Sequence, residues 1–339
     1  MVGEEINPKS ALIVYCPLSG PRHTKENLRH VRRPLEDLLQ KQGIEHRFES
    51  DLLPYDAVRE YGKDKKYIIL LGGESAAHFS CQTMMEQGHG GQTAVFFPFG
   101  SGNDFLRSLN IYSNDDAMTA FKGHLEGGGL TKKVDILSAS LDGELTRYYG
   151  TNMIGFGLNS SISRKATPEM KKKLGGKIAY YLATFKVLFK DYKVASAKVT
   201  GSGVEAFKGD ILSLMFCNGP YAGAGMKAVP WAQNDDGIIE MFAVNYMSRL
   251  KLALIFPKVY SGSHVKVKQC HFAQGKQFLL QLDRPMPMQI DGEVIKDVKT
   301  AEILIHPKEM EFVYLPPKVQ NVPLPIRIPQ LEGGSIPRA

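Results

Sequence analysis

Apolar positions follow two patterns along this chain, and the change falls near residue 130. In the first part, short unbroken apolar runs alternate with stretches of helical spacing. Ala11–Cys16 reads as a buried strand that leads into the turn Pro17-Leu18-Ser19-Gly20. Leu28, Val31, Leu35, Leu38 and Leu39 then recur at helical spacing and stop at Gly43. Pro34 lies inside that stripe, so the helix is expected to kink or to begin there. Ile44–Phe48, Tyr67–Leu71 and Thr93–Phe97 are further strands. Tyr67–Leu71 runs into Gly72-Gly73-Glu74-Ser75 and a helix to Gln87, and Thr93–Phe97 runs into Pro98–Asp104 and a short helix. Strands alternating with helices predict a mainly parallel sheet, hence an α/β domain over residues 1–130.

After the glycines at 127–129, strand patterns dominate: Val134–Ser138, Tyr148–Gly155, Ile211–Phe216, Ile238–Val244, Phe278–Leu282, Met288–Ile290 and Ala301–Ile305. A β-rich, sandwich-like domain is expected over 131–315. One helix interrupts it, from Ile178 to Phe189, with Ile178, Tyr181, Leu182, Phe185, Leu188 and Phe189 on one face. Such a stripe is usually core, although the flanking Lys171, Lys172, Lys173 and Lys177 would suit lipid headgroups. Residues 316–339 hold Pro316, Pro317, Pro323, Pro325, Pro329 and Pro337, a proline-rich tail that cannot continue a sheet.

Bulk properties sharpen this only a little. At 339 residues, two domains are the better expectation than one. The net charge of +7 and pI near 9.0 suit an anionic partner without choosing among nucleotide, membrane surface and nucleic acid. Cys16, Cys81, Cys217 and Cys270 are far apart and form no CxxC pair, which argues against a disulfide framework or zinc site and fits a cytoplasmic, reducing setting. The polar stretch Met1–Ser10 does not read as a signal peptide. No run of about 18 apolar residues is present, so membrane contact is expected to be peripheral and transient.

Candidate chemistry sits in the turns that leave strand ends, Pro17–Gly20, Gly72–Ala76 and Pro98–Asp104. Open α/β sheets bind ligands there, and glycine lets backbone N–H groups approach phosphate oxygens. Neither a Walker A sequence nor a GxGxxG fingerprint occurs. His23, His78 and His264 lack metal-ligand spacing and read as packing or surface residues.

In order and residue type these loops resemble the diacylglycerol kinase catalytic family, which includes sphingosine kinases and bacterial soluble lipid kinases. That family reads NPxSG, then GGDGT, then PxGTGNDFAR. The counterparts here are Cys16-Pro17-Leu18-Ser19-Gly20, Gly72-Gly73-Glu74-Ser75-Ala76 and Pro98–Arg107. Asn218–Met226 resembles the family's NGxxxGGGM turn, Ala228-Val229-Pro230 with Asp235-Asp236-Gly237 its APxAxxDDG stretch, and Asp291-Gly292-Glu293 its DGE motif. The resemblance spans residues 10–315.

It implies a lipid kinase that moves the γ-phosphoryl of ATP to the hydroxyl of a lipid such as diacylglycerol or a sphingoid base. ATP would lie in a cleft between the domains. Its phosphates would rest on Gly72, Gly73, Glu74 and Ser75, with Ser19, Gly20, Ser101, Gly102, Asn103 and Asp104 close by. Mg²⁺ would neutralise charge, and Asp291 or Glu293 would take the hydroxyl proton. Asp236 through its side chain, with Gln233 and Ile238 through main-chain carbonyls, would hold Mg²⁺ or Ca²⁺, though Asp-Gly is also a routine turn. The implied partners are the lipid substrate and a membrane surface and not nucleic acid, with a homodimer left open.

The sequence departs from that pattern at the phosphate loop. Glu74 places its charge one methylene further out, Ser75 replaces a glycine that could need a left-handed φ, and Ala76 loses a hydroxyl. Cys16 replaces an asparagine. Three readings stay open: an active lipid kinase with a modified loop, a pseudokinase-like lipid-binding protein, and, through its shared loop type, an NAD kinase.

Overall fold

The structure, a computed structural model, describes residues 6–17, 25–52, 55–88, 91–100, 102–165 and 193–317. Contacts divide the chain into two compact units. The first runs to Val134 and takes up the chain again from Lys308; the second runs from Asp135 to Pro307.

The first unit is α/β, as the alternation predicts. Its elements are β1 (Asn7–Tyr15), α1 (Lys25–Lys41), β2 (Glu45–Ser50), α2 (Tyr55–Tyr61), β3 (Lys65–Gly72), α3 (Glu74–Gln87), β4 (Thr93–Pro98), α4 (Asp104–Ser108) and α5 (Asn114–Gly123). The strands pair in parallel in the order β2-β1-β3-β4, with Ile13 beside Phe48 and Ile69, and Ile69 beside Val95. Ala11–Val14 and Ile68–Leu71 are buried throughout, which is why these strands read as unbroken apolar runs. Val31, Leu35 and Leu39 bury the inner stripe of α1. That helix passes through Pro34 instead of beginning there, having started at Lys25. The start of helix α5 is written in Ser113 and Asp116: the Ser113 side chain caps the Asp116 N–H, and Asp116 caps Ser113 in return.

The second unit is β-rich and mostly antiparallel. It contains β5 (Thr131–Leu141), β6 (Arg147–Gly150), β7 (Met153–Gly157), α6 (Leu158–Lys165), β8 (Ala195–Gly201), β9 (Val204–Cys217), β10 (Ile239–Asn245), α7 (Arg249–Ile255), α8 (Lys258–Ser261), β11 (Cys270–Gly275), β12 (Gln277–Ile290) and the start of β13 (Glu293–Val313). The order β11-β10-β9-β7-β12-β13 places β7 between two long strands, with β8 pairing both β9 and β12. Ile154, Phe156, Phe216, Phe278 and Leu280 fill the core on one face, and Phe216 lies 5.3 Å from Phe278 between ring centres. On the other face Met153, Leu212, Met215 and Val244 pack with Leu158, Ile162, Leu252 and Ile255 of the helices. In the first unit, Glu311 and Phe312 at the far end of β13 run parallel beside Thr93 and Ala94. Phe312 closes a cluster with Phe96 and Phe105 at 5.5 and 5.0 Å.

Two strand readings need correction. Tyr148–Gly155 is not continuous: β6 and β7 part at Thr151 and Asn152, whose main-chain N–H groups turn to a carboxylate instead of a strand partner. Conversely, Phe278–Leu282 and Met288–Ile290 belong to one strand, because β12 absorbs Asp283-Arg284-Pro285 in a register shift between Gln281 and Met286. The helix expected over Ile178–Phe189 and the tail beyond Pro317 lie outside the described residues.

Candidate functional site

The strand ends of the first unit carry the phosphate-loop candidates. β3 ends in Gly72, whose carbonyl accepts the Phe99 N–H at 2.8 Å, so this turn and the one after β4 are tied together. Gly73 then serves as the N-cap of α3, in extended conformation and with no side-chain capping bond. Glu74 and Ser75 occupy the first helical turn. The left-handed strain expected at Ser75 does not arise, since Ser75 is not among the residues with positive φ. Ala76 is also helical and only 2% exposed, so the methyl that stands for a hydroxyl faces the interior.

Glu74 does something that the sequence did not announce. Its Oε1 accepts the main-chain N–H of Asp104 at 2.5 Å, across to the first residue of α4. Its Oε2 lies against Gly102 so closely that a Cβ on that glycine would sit 2.6 Å away. Asn103, left-handed at φ 55, donates its Nδ2 to the Gly100 carbonyl at 2.9 Å. Arg107 Nε donates to the Gly102 carbonyl at 3.3 Å and lies 3.7 Å from the buried Asp104 carboxylate. Gly72, Gly73, Glu74, Ser75, Gly102, Asn103 and Asp104 thus gather in one place. Of these, Gly72, Gly73, Glu74 and Asn103 line a cavity with Leu70, Phe96 and Phe105 that holds about 10 Å³, room for no more than one water. Ser19, Gly20 and Ser101 lie outside the described residues.

In the second unit the Asp-Gly pair forms the two-residue turn between β12 and β13, with φ 48 at Asp291 and 94 at Gly292 and with Ile290 opposite Glu293. The Asp291 carboxylate is buried and saturated. Oδ2 accepts the Thr151 N–H at 2.7 Å and the Thr151 hydroxyl at 3.1 Å, while Oδ1 accepts the N–H groups of Asn152 and Met153 at 3.0 and 2.8 Å. Four donors use the four lone-pair positions that a carboxylate offers. Gly150 is required beside it, because a Cβ there would meet Ile290 at 2.5 Å and the carboxylate at 3.2 Å. Asn218 joins the same network, donating from Nδ2 to the carbonyls of Asp135 and Thr151, both at 2.7 Å. Ala224, where the resemblance carries a glycine, is held left-handed at φ 68.

At the Asp235-Asp236-Gly237 turn, Asp236 Oδ1 accepts the Ile238 N–H at 3.0 Å and Asp135 Oδ2 accepts the Gly237 N–H at 2.6 Å. Burial, then repulsion from Asp135 and Asp235, pushes the Asp236 carboxyl up to about 6 although the residue keeps an exposed edge. Gln233 is exposed. Among the described residues no three His, Cys, Asp or Glu side chains converge to hold a metal, so an ion at Asp236 would need main-chain carbonyls for the rest of its shell.

The second unit also contains an apolar pocket of about 100 Å³, to which the motif residues Ala222, Gly223, Met226 and Ala228 contribute. Met153, Ile162, Met215, Phe242, Leu252 and Ile255 are among its walls. His264, fully buried, is one of its few polar groups: Nε2 donates to the Ala228 carbonyl at 2.9 Å, and burial lowers its pKa. Its lining comes mainly from β7, α6, β9, β10, α7 and α8, with the turn at 222–228 and single residues of β11 and β12.

Comparison with known proteins covers nearly all of the same ground. Residues 10–139 match the diacylglycerol kinase catalytic domain, and residues 152–314 match the YegS C-terminal NAD kinase beta sandwich-like domain. A diacylglycerol kinase of Staphylococcus carnosus is 26% identical over 320 residues, which is 93% of this chain and 98% of the relative. A Shewanella frigidimarina protein named "Probable lipid kinase YegS-like" is 25% identical over 270 residues, 78% of this chain and 81% of its own. A solved diacylglycerol kinase from Bacillus anthracis str. Sterne superposes with a TM-score of 0.66 at 16% identity, covering 91% of this chain and 97% of that one. An NAD kinase from Archaeoglobus fulgidus, solved with ATP, shares the fold more distantly, with a TM-score of 0.50 at 11% identity over 90% of this chain and 93% of that one.

Proposed function

Because the chain belongs to the diacylglycerol kinase catalytic-domain family, we propose that it is an ATP-dependent lipid kinase acting on a lipid hydroxyl, with diacylglycerol and sphingoid bases as the substrate classes to test first. The observation that carries the lipid half is the apolar pocket of the second unit. Its volume of about 100 Å³ is on the scale at which a dry cavity takes up hydrocarbon, and it is walled almost wholly by aliphatic and aromatic side chains.

ATP would supply the phosphoryl group, and Gly72, Gly73 and the uncapped first turn of α3 are the residues suited to its phosphates. Mg²⁺ fits Asp236 on the chemistry of the donor set, since a divalent ion would relieve the repulsion among Asp135, Asp235 and Asp236. The acidic pair divides its work. Asp291, with every lone pair engaged, anchors the turn to residues 151–153. Glu293 is the proton acceptor for the lipid hydroxyl, because it retains a half-buried side chain beside that anchored turn.

The bond from Asp104 to Glu74 favours a second reading, a lipid-binding protein that handles nucleotide poorly, because a carboxylate already occupies the amide that follows Gly102 and Asn103. Transfer from labelled ATP to diacylglycerols, sphingoid bases and ceramide decides between them. No transfer to any lipid, with binding retained, supports the second reading, and phosphorylation of NAD instead would overturn both.

A further inference from the structure

Helix α7 has two apolar faces, and among the described residues only one of them is covered. Leu252 and Ile255 point inward and line the apolar pocket, as do Phe256 and Val259 just beyond. Leu250 and Leu254, one turn apart, point outward and are 74% and 68% exposed, and Tyr246 just before the helix is 57% exposed. Three large apolar groups at one surface exceed the scattered single exposure that is ordinary for a globular protein.

The charge around this face is one-sided. From Met241 to Leu282 the chain carries Arg249, Lys251, Lys258, Lys266, Lys268 and Lys276 and not one Asp or Glu. All six cations are exposed. Lys227 adds to them, since its N–H donates to the Val259 carbonyl at the start of α8. Among the described residues an acid bonded to this stretch is Asp210, whose carbonyl accepts the Tyr246 N–H; its carboxylate accepts the Ser196 hydroxyl at 2.5 Å, with Arg284 close enough to offset its charge. Exposed apolar side chains on a stretch whose charged residues are all cationic match the two components of an anionic bilayer surface, acyl chains below and negative headgroups above.

We propose that the outer face of α7 with α8 is a membrane-docking surface for anionic lipid bilayers, with Leu250, Leu254 and Tyr246 as the inserted groups and Arg249, Lys251, Lys258, Lys266 and Lys268 as the headgroup contacts. This goes beyond the kinase reading: it adds where the bilayer sits, one helix away from the pocket, so that a lipid leaving the membrane crosses only the wall made by Leu252 and Ile255. The lysines at 171–177, which would also suit headgroups, lie outside the described residues.

The test is flotation of the full chain, without nucleotide, with vesicles of phosphatidylcholine alone or mixed with phosphatidylglycerol. The protein is expected to float with the mixed vesicles, to stay behind with the neutral ones, and to detach as salt is raised. Leu250→Glu with Leu254→Glu, and separately Arg249→Glu with Lys251→Glu, are expected to cut partitioning by roughly tenfold or more while leaving the melting temperature unchanged, since these side chains are exposed. Equal binding to neutral and anionic vesicles, or variants that partition like wild type, overturns the proposal. So does a variant whose only change is from dimer to monomer in sedimentation, which would make this face a contact between copies. Because the readout uses no ATP, loss of the kinase reading leaves vesicle binding intact. Loss of docking leaves transfer to a short-chain, monomerically dissolved lipid intact.

Discussion

Replacing Asp291 by Asn tests the division of labour in the acidic pair. Asn and Asp are the residues that best tolerate a left-handed backbone, so the φ of 48 is kept and backbone strain cancels from the comparison. What changes is the acceptor. The Asp291 oxygens receive three main-chain N–H groups and one hydroxyl in a site that is 7% exposed. An amide offers one oxygen, so the NH₂ group must face either the Thr151 pair or the Asn152–Met153 pair. At least one buried N–H is then unpaired and a second contact becomes repulsive, at about 1–3 kcal/mol for each lost partner. A loss of about 2–4 kcal/mol corresponds to a fall of roughly 5–15 °C in melting temperature for a domain of this size. Glu293→Gln is expected to leave the melting temperature within a degree or two. It should lower turnover by about 10²–10⁴, the usual contribution of a positioned base. Calorimetry on both variants, with the labelled-ATP assay alongside, reads the two effects separately. An Asp291→Asn protein that melts like wild type but is inactive, beside a Glu293→Gln protein that retains activity, would refute the assignment and make Asp291 the base.

Other consequences are simpler to read. Burial holds the His264 pKa below its ordinary 6.5, so the unfolded chain takes up a proton there first as pH falls; stability is full above about pH 6.5 and declines below it. His264→Gln should flatten the melting-temperature profile between pH 7.5 and 5.5, and an unchanged slope would assign the decline elsewhere. The thiols of Cys16 and Cys270 are pushed up by burial to about 12 and about 11, so iodoacetamide at pH 8 is expected to label the unfolded chain much faster than the native one. Mg²⁺ should raise the melting temperature through Asp236, and Asp236→Asn should abolish that rise without ATP or lipid being present; an equal rise in the variant would place the ion elsewhere.

Much of the first unit could be read directly because its strands are buried on both faces and its turns carry glycine, so Ile68–Leu71 and Gly72-Gly73 are unmistakable in one dimension. The order of motifs likewise placed the Asp291 turn and the loop at Pro98–Asp104. What stayed hidden depends on contacts between distant residues. Nothing local at Thr151 or Asn152 shows that their N–H groups serve a carboxylate 140 positions later, so the strand was drawn straight through them. The pocket was hidden for a related reason: Met153, Phe242 and Ile255 have the apolar character of core residues, and only their placement leaves a space among them. Phe278–Leu282 and Met288–Ile290 read as separate strands, but pairing on both sides lets β12 carry Asp283-Arg284-Pro285 as a shift in register.

The altered loop is where sequence and structure together change the expected outcome of an experiment. Reverting Glu74→Asp, Ser75→Gly and Ala76→Thr restores the family pattern, and on sequence alone a gain of activity would simply mean the natural loop is impaired. The structure attaches a stability cost to each step. Aspartate is one methylene too short to keep the bond from the Asp104 N–H, a charge-assisted contact of about 1.5–3 kcal/mol. Glycine in the first turn of α3 costs up to about 1 kcal/mol against a better helix former. Threonine at position 76 must bury a hydroxyl where Ala76 is 2% exposed, at about 1–3 kcal/mol unless it finds a partner. The triple variant is therefore expected to melt well below wild type, and Glu74→Asp alone should account for a third or more of the fall. Turnover must be compared at a temperature where both proteins are folded. A triple variant as stable as wild type would show that the Glu74–Asp104 bond contributes nothing. A stable and more active one would show that the carboxylate obstructs the nucleotide. A less stable, less active one with weaker ATP protection would show that Glu74 braces the 102–104 turn in the form that nucleotide needs.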